Sequence, residues 1–114
     1  MTAEAATNIE EVPLQIPASF KLDRRPYLVS LVRHTKPVGT MGSVVYFSRR
    51  IEIATHSGLN QRKFTREELA DTFWHEVTHA ILHDMGNKLW RSEKFVTEFS
   101  RRLTEVVLTA KLPR

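Results

Sequence analysis

The run His75-Glu76-Val77-Thr78-His79 constrains the fold more than any other feature of the chain, because its spacing is useful only on a helix. Residues four apart lie one turn apart on the same helical face, so the imidazoles of His75 and His79 can converge on one point. Two imidazoles that converge in this way can bind a zinc ion at Zn–N distances of about 2.0 to 2.1 Å. The motif therefore predicts a helical zinc site with His75 and His79 as ligands.

Glu76 adds a catalytic group to this predicted site. Its position beside His75 lets the carboxylate reach a water molecule at the open coordination position of the metal. A carboxylate in that place can take a proton from the water and return it to a leaving amine. The motif thus predicts a zinc-dependent metallopeptidase of the zincin type, a metalloendopeptidase with Glu76 as the general base.

Two amphipathic helices are predicted around the motif. Thr65 and Glu68 have the spacing of a capping box that begins the first helix, and Gly86 is a plausible end. The second helix is expected from about Ser92 to Ala110. The first helix has its apolar face at Leu69, Ala70, Phe73, Val77, Ala80 and Ile81, and the second has its buried stripe at Phe95, Val96, Phe99, Leu103, Val106 and Val107.

Three β-prone runs precede the helices. Tyr27 to Arg33 predicts a short strand, and the runs Ser43 to Phe47 and Ile51 to Thr55 predict an antiparallel hairpin. The expected fold is α+β: a minimal zincin-like domain in which a small antiparallel sheet or hairpin packs on the active-site helix and a C-terminal helix. Residues 1–18 are expected to form a flexible N-terminal arm, and residues 19–114 a single domain.

Composition narrows the chemistry and the location. The 114 residues include no cysteine, so a metal must be bound by His, Asp or Glu. No apolar run is long enough for a membrane span, and the N-terminus is polar and acidic, which favours a cytoplasmic protein. Lys and Arg number 17 against 13 Asp and Glu, a formal charge of +4. Because the basic residues are scattered in pairs, a nucleic-acid surface is not favoured.

A catalytic zinc ion usually has three protein ligands, so a third is required. His83 continues the spacing of four but lies eight residues from His75, about 12 Å along a helix, which is too far for both to bind one ion. Glu93 and Glu98 on the second helix are the better candidates, and helical phase does not choose between them. Tyr46 and His56 are candidates for a hydrogen-bond donor to an oxyanion.

The segment from Trp74 to Leu103 resembles the ImmA/IrrE-type metallopeptidases, a family found in mobile genetic elements and bacterial regulators. That family has H-E-x-x-H-x-x-L-H followed by E-x-x-A-N-x-F-A-x-x-L, in which the second Glu is the third zinc ligand. This chain matches at His75, Glu76, His79, Leu82, His83, Glu93, Phe99 and Leu103, and it differs at Val96, Thr97 and Ser100. The resemblance implies that Glu93 is the third ligand and that the substrate is a regulatory protein cleaved at one site.

Two other functions are compatible with the motif. One is a non-catalytic, zinc-stabilised module that binds a protein partner. The other is a basic nucleic-acid-binding protein in which the motif is fortuitous. Retention of about one zinc ion per chain would argue against the nucleic-acid alternative, and a Glu76→Gln substitution would separate the peptidase from the zinc-stabilised module.

Overall fold

The computed structural model describes residues 16–36, 38–111 and 113. The described chain forms an α+β domain, as predicted. Its strands are β1 (Ser19–Leu22), β2 (Arg25–Val32), β3 (Gly42–Val45) and β4 (Arg50–Ala54). Its helices are α1 (Arg66–Asp84), a short 3-10 helix (Lys88–Arg91) and α2 (Glu93–Thr109).

The four strands form one sheet in the order β1-β2-β4-β3. Strands β1 and β2 are antiparallel, as are β3 and β4, whereas β2 and β4 are parallel with Val29 opposite Ile51. The predicted antiparallel hairpin is therefore confirmed, but the sheet as a whole is mixed. Strand β3 is at one edge, so one side of its backbone has no strand partner among the described residues.

The turns explain why β1 was not predicted and why the β3–β4 hairpin needs no glycine. Asp23 and Arg24 join β1 to β2, and both have positive φ, which is usual for Asn-Gly and unusual for Asp-Arg. Arg49 ends the β3–β4 turn, also with positive φ. Its guanidinium donates to the carbonyls of Leu22, Arg25 and Pro26, and this anchoring offsets the backbone strain.

The hydrophobic core lies between one face of the sheet and α1. It consists of Tyr27, Ile51, Ile53, Phe73, Val77 and Ala80. Phe20 extends it, stacking on Tyr27 and contacting Phe73 edge to face. Ile16, which falls in the predicted arm, also packs against this core. Residues 1–15 of that arm lie outside the described residues.

Helix α1 begins and ends as its sequence predicts. The Thr65 hydroxyl accepts from the Glu68 amide, and the Glu68 carboxylate accepts from the Thr65 amide, which completes the capping box. Gly86 follows the helix with a positive φ that favours glycine. Most of the predicted apolar face is buried or half-buried, but Ile81 is exposed.

Helix α2 packs less of its surface than its sequence predicts. Val96 is buried, but Phe99 is 48% exposed and Val106 is 61% exposed. The predicted stripe is thus wrong at these two positions, because the fully buried line of the helix instead follows Val96, Ser100 and Thr104. Among the described residues, no helix is both long and apolar enough to cross a membrane.

Candidate metal centre and hydrolytic site

Helices α1 and α2 bring together three of the side chains singled out in the sequence. His75 Nε2 lies 3.1 Å from Glu93 Oε1, and His79 Nε2 lies 2.9 Å from Glu93 Oε2. One potential ligand atom from each of the three residues lies within 4.8 Å of the other two. Glu93 is the first residue of α2, so the short connection from α1 delivers its carboxylate directly to the two imidazoles.

These three residues could hold a zinc ion. Two ligand atoms on a tetrahedral zinc ion, each about 2.0 to 2.1 Å from the metal, lie about 3.4 Å apart. The distances of 3.1 Å from His75 Nε2 to Glu93 Oε1 and of 2.9 Å from His79 Nε2 to Glu93 Oε2 are close to that value. Two imidazole nitrogens and one carboxylate also form a known ligand set of catalytic zinc sites.

A backbone carbonyl orients one of the two imidazoles. His79 Nδ1 lies 2.8 Å from the carbonyl oxygen of Trp90, in the 3-10 helix. Because a carbonyl only accepts, Nδ1 carries the proton and donates it, which leaves Nε2 directed at Glu93. The ImmA/IrrE-type pattern has Asn at the position of Thr97. In this chain the Thr97 hydroxyl makes no hydrogen bond with any described residue.

Glu76 lies beside the histidines on α1 and, like His79, it is buried. Glu76 is only 8% exposed, and its side chain lines the same cavity as His79 and Glu93. Burial, with a smaller contribution from the negative charge of Glu93, raises the pKa of Glu76 to about 7. A carboxyl group that titrates near neutral pH is suited to accept and return a proton.

Strand β3 approaches Glu76 closely because residue 42 is a glycine. A Cβ atom on Gly42 would lie 2.7 Å from Thr72 Cγ2, 2.9 Å from Glu76 Cγ and 3.0 Å from Glu76 Oε2. No larger residue fits there unless these side chains move. Gly42 therefore places the sheet edge in contact with Glu76, a contact that the sequence analysis did not anticipate.

The cavity next to the three candidate ligands has a volume of about 360 Å³. It is lined by Val44, Tyr46, Glu76, His79, Trp90, Arg91 and Glu93. Tyr46 follows the edge strand, and its ring stacks on His83 at 4.0 Å between centroids. Burial, with a smaller contribution from the charge of Glu76, raises the pKa of Tyr46 to about 12, so its hydroxyl stays protonated at neutral pH.

The remaining candidates lie outside this group. His83 contacts Tyr46 and Trp90 through its ring and is not part of the three-residue group. Glu98 forms an exposed ion pair with Lys94, one helical turn before it on α2, with 4.0 Å between Glu98 Oε2 and Lys94 Nζ. A hydrogen bond of 2.7 Å joins His56 Nδ1 to the Thr55 hydroxyl. His56 does not line the cavity.

Comparison of the chain with protein-family models, with curated proteins and with solved structures finds no match.

Proposed function

We propose that this chain is a zinc-dependent metallopeptidase in which His75, His79 and Glu93 hold the metal and Glu76 is the general base. The observation that carries the proposal is the convergence of both imidazoles on the Glu93 carboxylate, beside a cavity lined by the buried Glu76. The residue pattern shared with the ImmA/IrrE-type enzymes adds support. A cytoplasmic location and a regulatory protein as substrate are part of the same proposal.

A zinc ion held by His75, His79 and Glu93 would supply Lewis acidity, which would polarise a carbonyl and make water at the site more acidic. Glu76 takes the proton from the attacking water and delivers it to the nitrogen of the leaving amine. Tyr46 donates its hydroxyl proton in a hydrogen bond to the carbonyl oxygen as negative charge develops there. The amide bond is cleaved, and the products are a carboxylate and an amine.

The edge of β3, which has no strand partner among the described residues, provides a place for the substrate backbone. An extended peptide that pairs antiparallel with Gly42–Val45 runs past Gly42, where the strand contacts Glu76. Main-chain hydrogen bonds give such a peptide affinity without requiring a particular sequence. Val44 and Trp90 also line the cavity and supply apolar surface for the side chains next to the cleaved bond.

The proposal is tested by comparing the wild-type chain with Glu76→Gln and Glu98→Gln, each loaded with zinc. The probe is a defined peptide mixture that presents every residue type on both sides of a bond, with new termini identified by mass spectrometry. We expect about one zinc ion per chain in all three proteins. Cleavage should fall about 10² to 10⁴-fold in Glu76→Gln and stay unchanged in Glu98→Gln.

Three results would contradict the proposal in different ways. Zinc retention without cleavage by the wild-type chain would indicate a non-catalytic zinc-stabilised binding module. Failure of the wild-type chain to retain zinc would remove the metal site itself. Cleavage that survives in Glu76→Gln would show that another group is the base.

A further inference from the structure

Arg91 is the only guanidinium among the described residues that line the cavity. It is the last residue of the 3-10 helix and comes two positions before Glu93. Every other charged or titratable side chain around the cavity already has a part in the proposed reaction or in metal binding. Arg91 has no part in either, which leaves substrate binding as its candidate function.

The guanidinium is supported by a fixed aromatic platform. Its central carbon lies 5.2 Å from the centre of the Trp90 ring. The Trp90 ring in turn contacts Tyr46 at 5.3 Å and His83 at 5.1 Å between centroids. The Trp90 carbonyl accepts from His79, which ties the 3-10 helix to the candidate metal centre. A stacked guanidinium keeps the donors in its own plane available to a ligand.

Those donors have no partner within the described part of the chain. Arg91 forms no hydrogen bond or ion pair with any described residue. Its guanidinium makes a cation–π contact with Trp90. Other arginines are used internally: Arg49 donates to three backbone carbonyls, and Arg62 donates to both carboxylate oxygens of Glu68. Arg91 therefore presents beside the cavity a planar donor set that no described residue uses.

The charges around the cavity indicate what those donors would bind. With zinc bound, the negative charges of Glu76 and Glu93 are balanced by the ion, and Arg91 leaves the cavity lining with a net positive charge that attracts an anionic group. A carboxylate matches the planar donors of a guanidinium better than any other common peptide group. The geometry points to Arg91 as a carboxylate-binding subsite, so that the peptidase selects substrates with a carboxylate close to the cleaved bond. This inference rests on the proposed function, because it concerns the substrate of the same site.

Two peptide groups carry that chemistry: the side chain of Asp or Glu, and the carboxylate at the C-terminus of a chain. Paired peptides separate them. One pair differs by Glu against Gln near the cleaved bond, and a second pair differs by a free against an amidated C-terminus. The proteins compared are the wild-type chain, Arg91→Ala, Arg91→Glu and a control, Arg101→Glu, which changes an exposed arginine of α2 that does not line the cavity.

We expect the wild-type chain to cleave the carboxylate-bearing member of one pair about tenfold faster in kcat/KM. Arg91→Ala should remove that preference, Arg91→Glu should transfer it to a peptide with Lys at the same position, and Arg101→Glu should behave as wild type. Equal preference in wild type and Arg91→Ala would overturn the inference, as would equal cleavage of both members of both pairs by the wild-type chain.

A binding measurement keeps this test independent of catalysis. The same peptides, labelled with a fluorophore, are titrated with the zinc-loaded Glu76→Gln protein and with the Glu76→Gln/Arg91→Ala double variant. A loss of about tenfold in affinity only for the carboxylate-bearing peptide supports the subsite even if the wild-type chain cleaves nothing. Equal affinity of the two proteins for that peptide refutes the subsite, whatever the outcome for cleavage.

Discussion

Replacing Glu93 with Ala tests the third proposed ligand of the metal centre. Helical phase alone does not choose this residue over Glu98. Its carboxylate approaches both imidazoles, at 3.1 Å from His75 and 2.9 Å from His79, so the substitution removes one of the three proposed ligands. Even changes to groups that only orient a ligand weaken metal affinity by about 10 to 100-fold. We therefore expect a loss of at least about 100-fold in zinc affinity.

The loss can be converted into a melting temperature. With free zinc held at about 1,000 times the wild-type Kd, binding stabilises the folded chain by about 4.1 kcal/mol. A 100-fold weaker site under the same conditions gives about 1.4 kcal/mol, a difference of about 2.7 kcal/mol. For a domain of this size, 1 kcal/mol corresponds to about 4 to 8 °C. The zinc-dependent rise in Tm should therefore be about 10 to 20 °C smaller in Glu93→Ala.

The assay compares each protein in zinc buffer and in chelator, because the difference cancels any change in intrinsic stability. That correction matters, since Glu93 also lies in the first turn of α2, where a negative charge stabilises a helix. Glu98→Ala is the matched control on the same helix: its exposed pair with Lys94 should contribute little. A full zinc-dependent rise in Glu93→Ala, or its loss in Glu98→Ala, would refute the assignment.

Three further substitutions, one of them with a matched control, test other parts of the site and the helix that carries it. Gly42→Ala should lower kcat by displacing Glu76, while zinc affinity stays unchanged. The control is Gly58→Ala, where an added Cβ is similarly crowded, but by Val38 and Gly39, and which should lower only Tm. Equal losses of kcat in both variants would show a general folding defect. Tyr46→Phe should lower kcat by roughly 10 to 10³-fold with little change in KM, and unchanged steady-state kinetics would exclude its hydroxyl as a donor. Thr65→Ala should lower the free energy of unfolding by about 1 kcal/mol in urea titration, and an unchanged midpoint would show that the capping box contributes nothing.

Local patterns in the sequence predicted the parts of the site that lie on one helix. The capping box of Thr65 and Glu68 and the four-residue spacing of His75 and His79 depend only on helical geometry, and the structure contains both. The hairpin of β3 and β4 was predicted for the same reason, since its two runs are adjacent in the chain. The choice of Glu93 over Glu98 required the family resemblance, because it depends on how two helices meet.

Features that depend on the backbone left no readable pattern. The carbonyl of Trp90 orients His79, and every residue has a carbonyl, so nothing in the sequence marks this one. The predicted run from Ser43 to Phe47 leaves out Gly42, whereas its lack of a side chain lets β3 contact Glu76. The hairpin of β1 and β2 turns through Asp23 and Arg24, a pair that gives no recognisable turn signal.

The connection between α1 and α2 has two structural tasks at once. It places Glu93 at the first position of α2, next to the imidazoles, and its 3-10 helix directs the Trp90 carbonyl at His79. A short connection is therefore a requirement of the site: the segment that delivers the third candidate ligand also fixes the orientation of the second. The same segment carries Arg91 on the Trp90 ring, so the position of the proposed carboxylate subsite is coupled to the geometry of the metal centre. A single connection would thus contribute to the proposed metal binding, to the orientation of His79 and to the proposed selection of substrate.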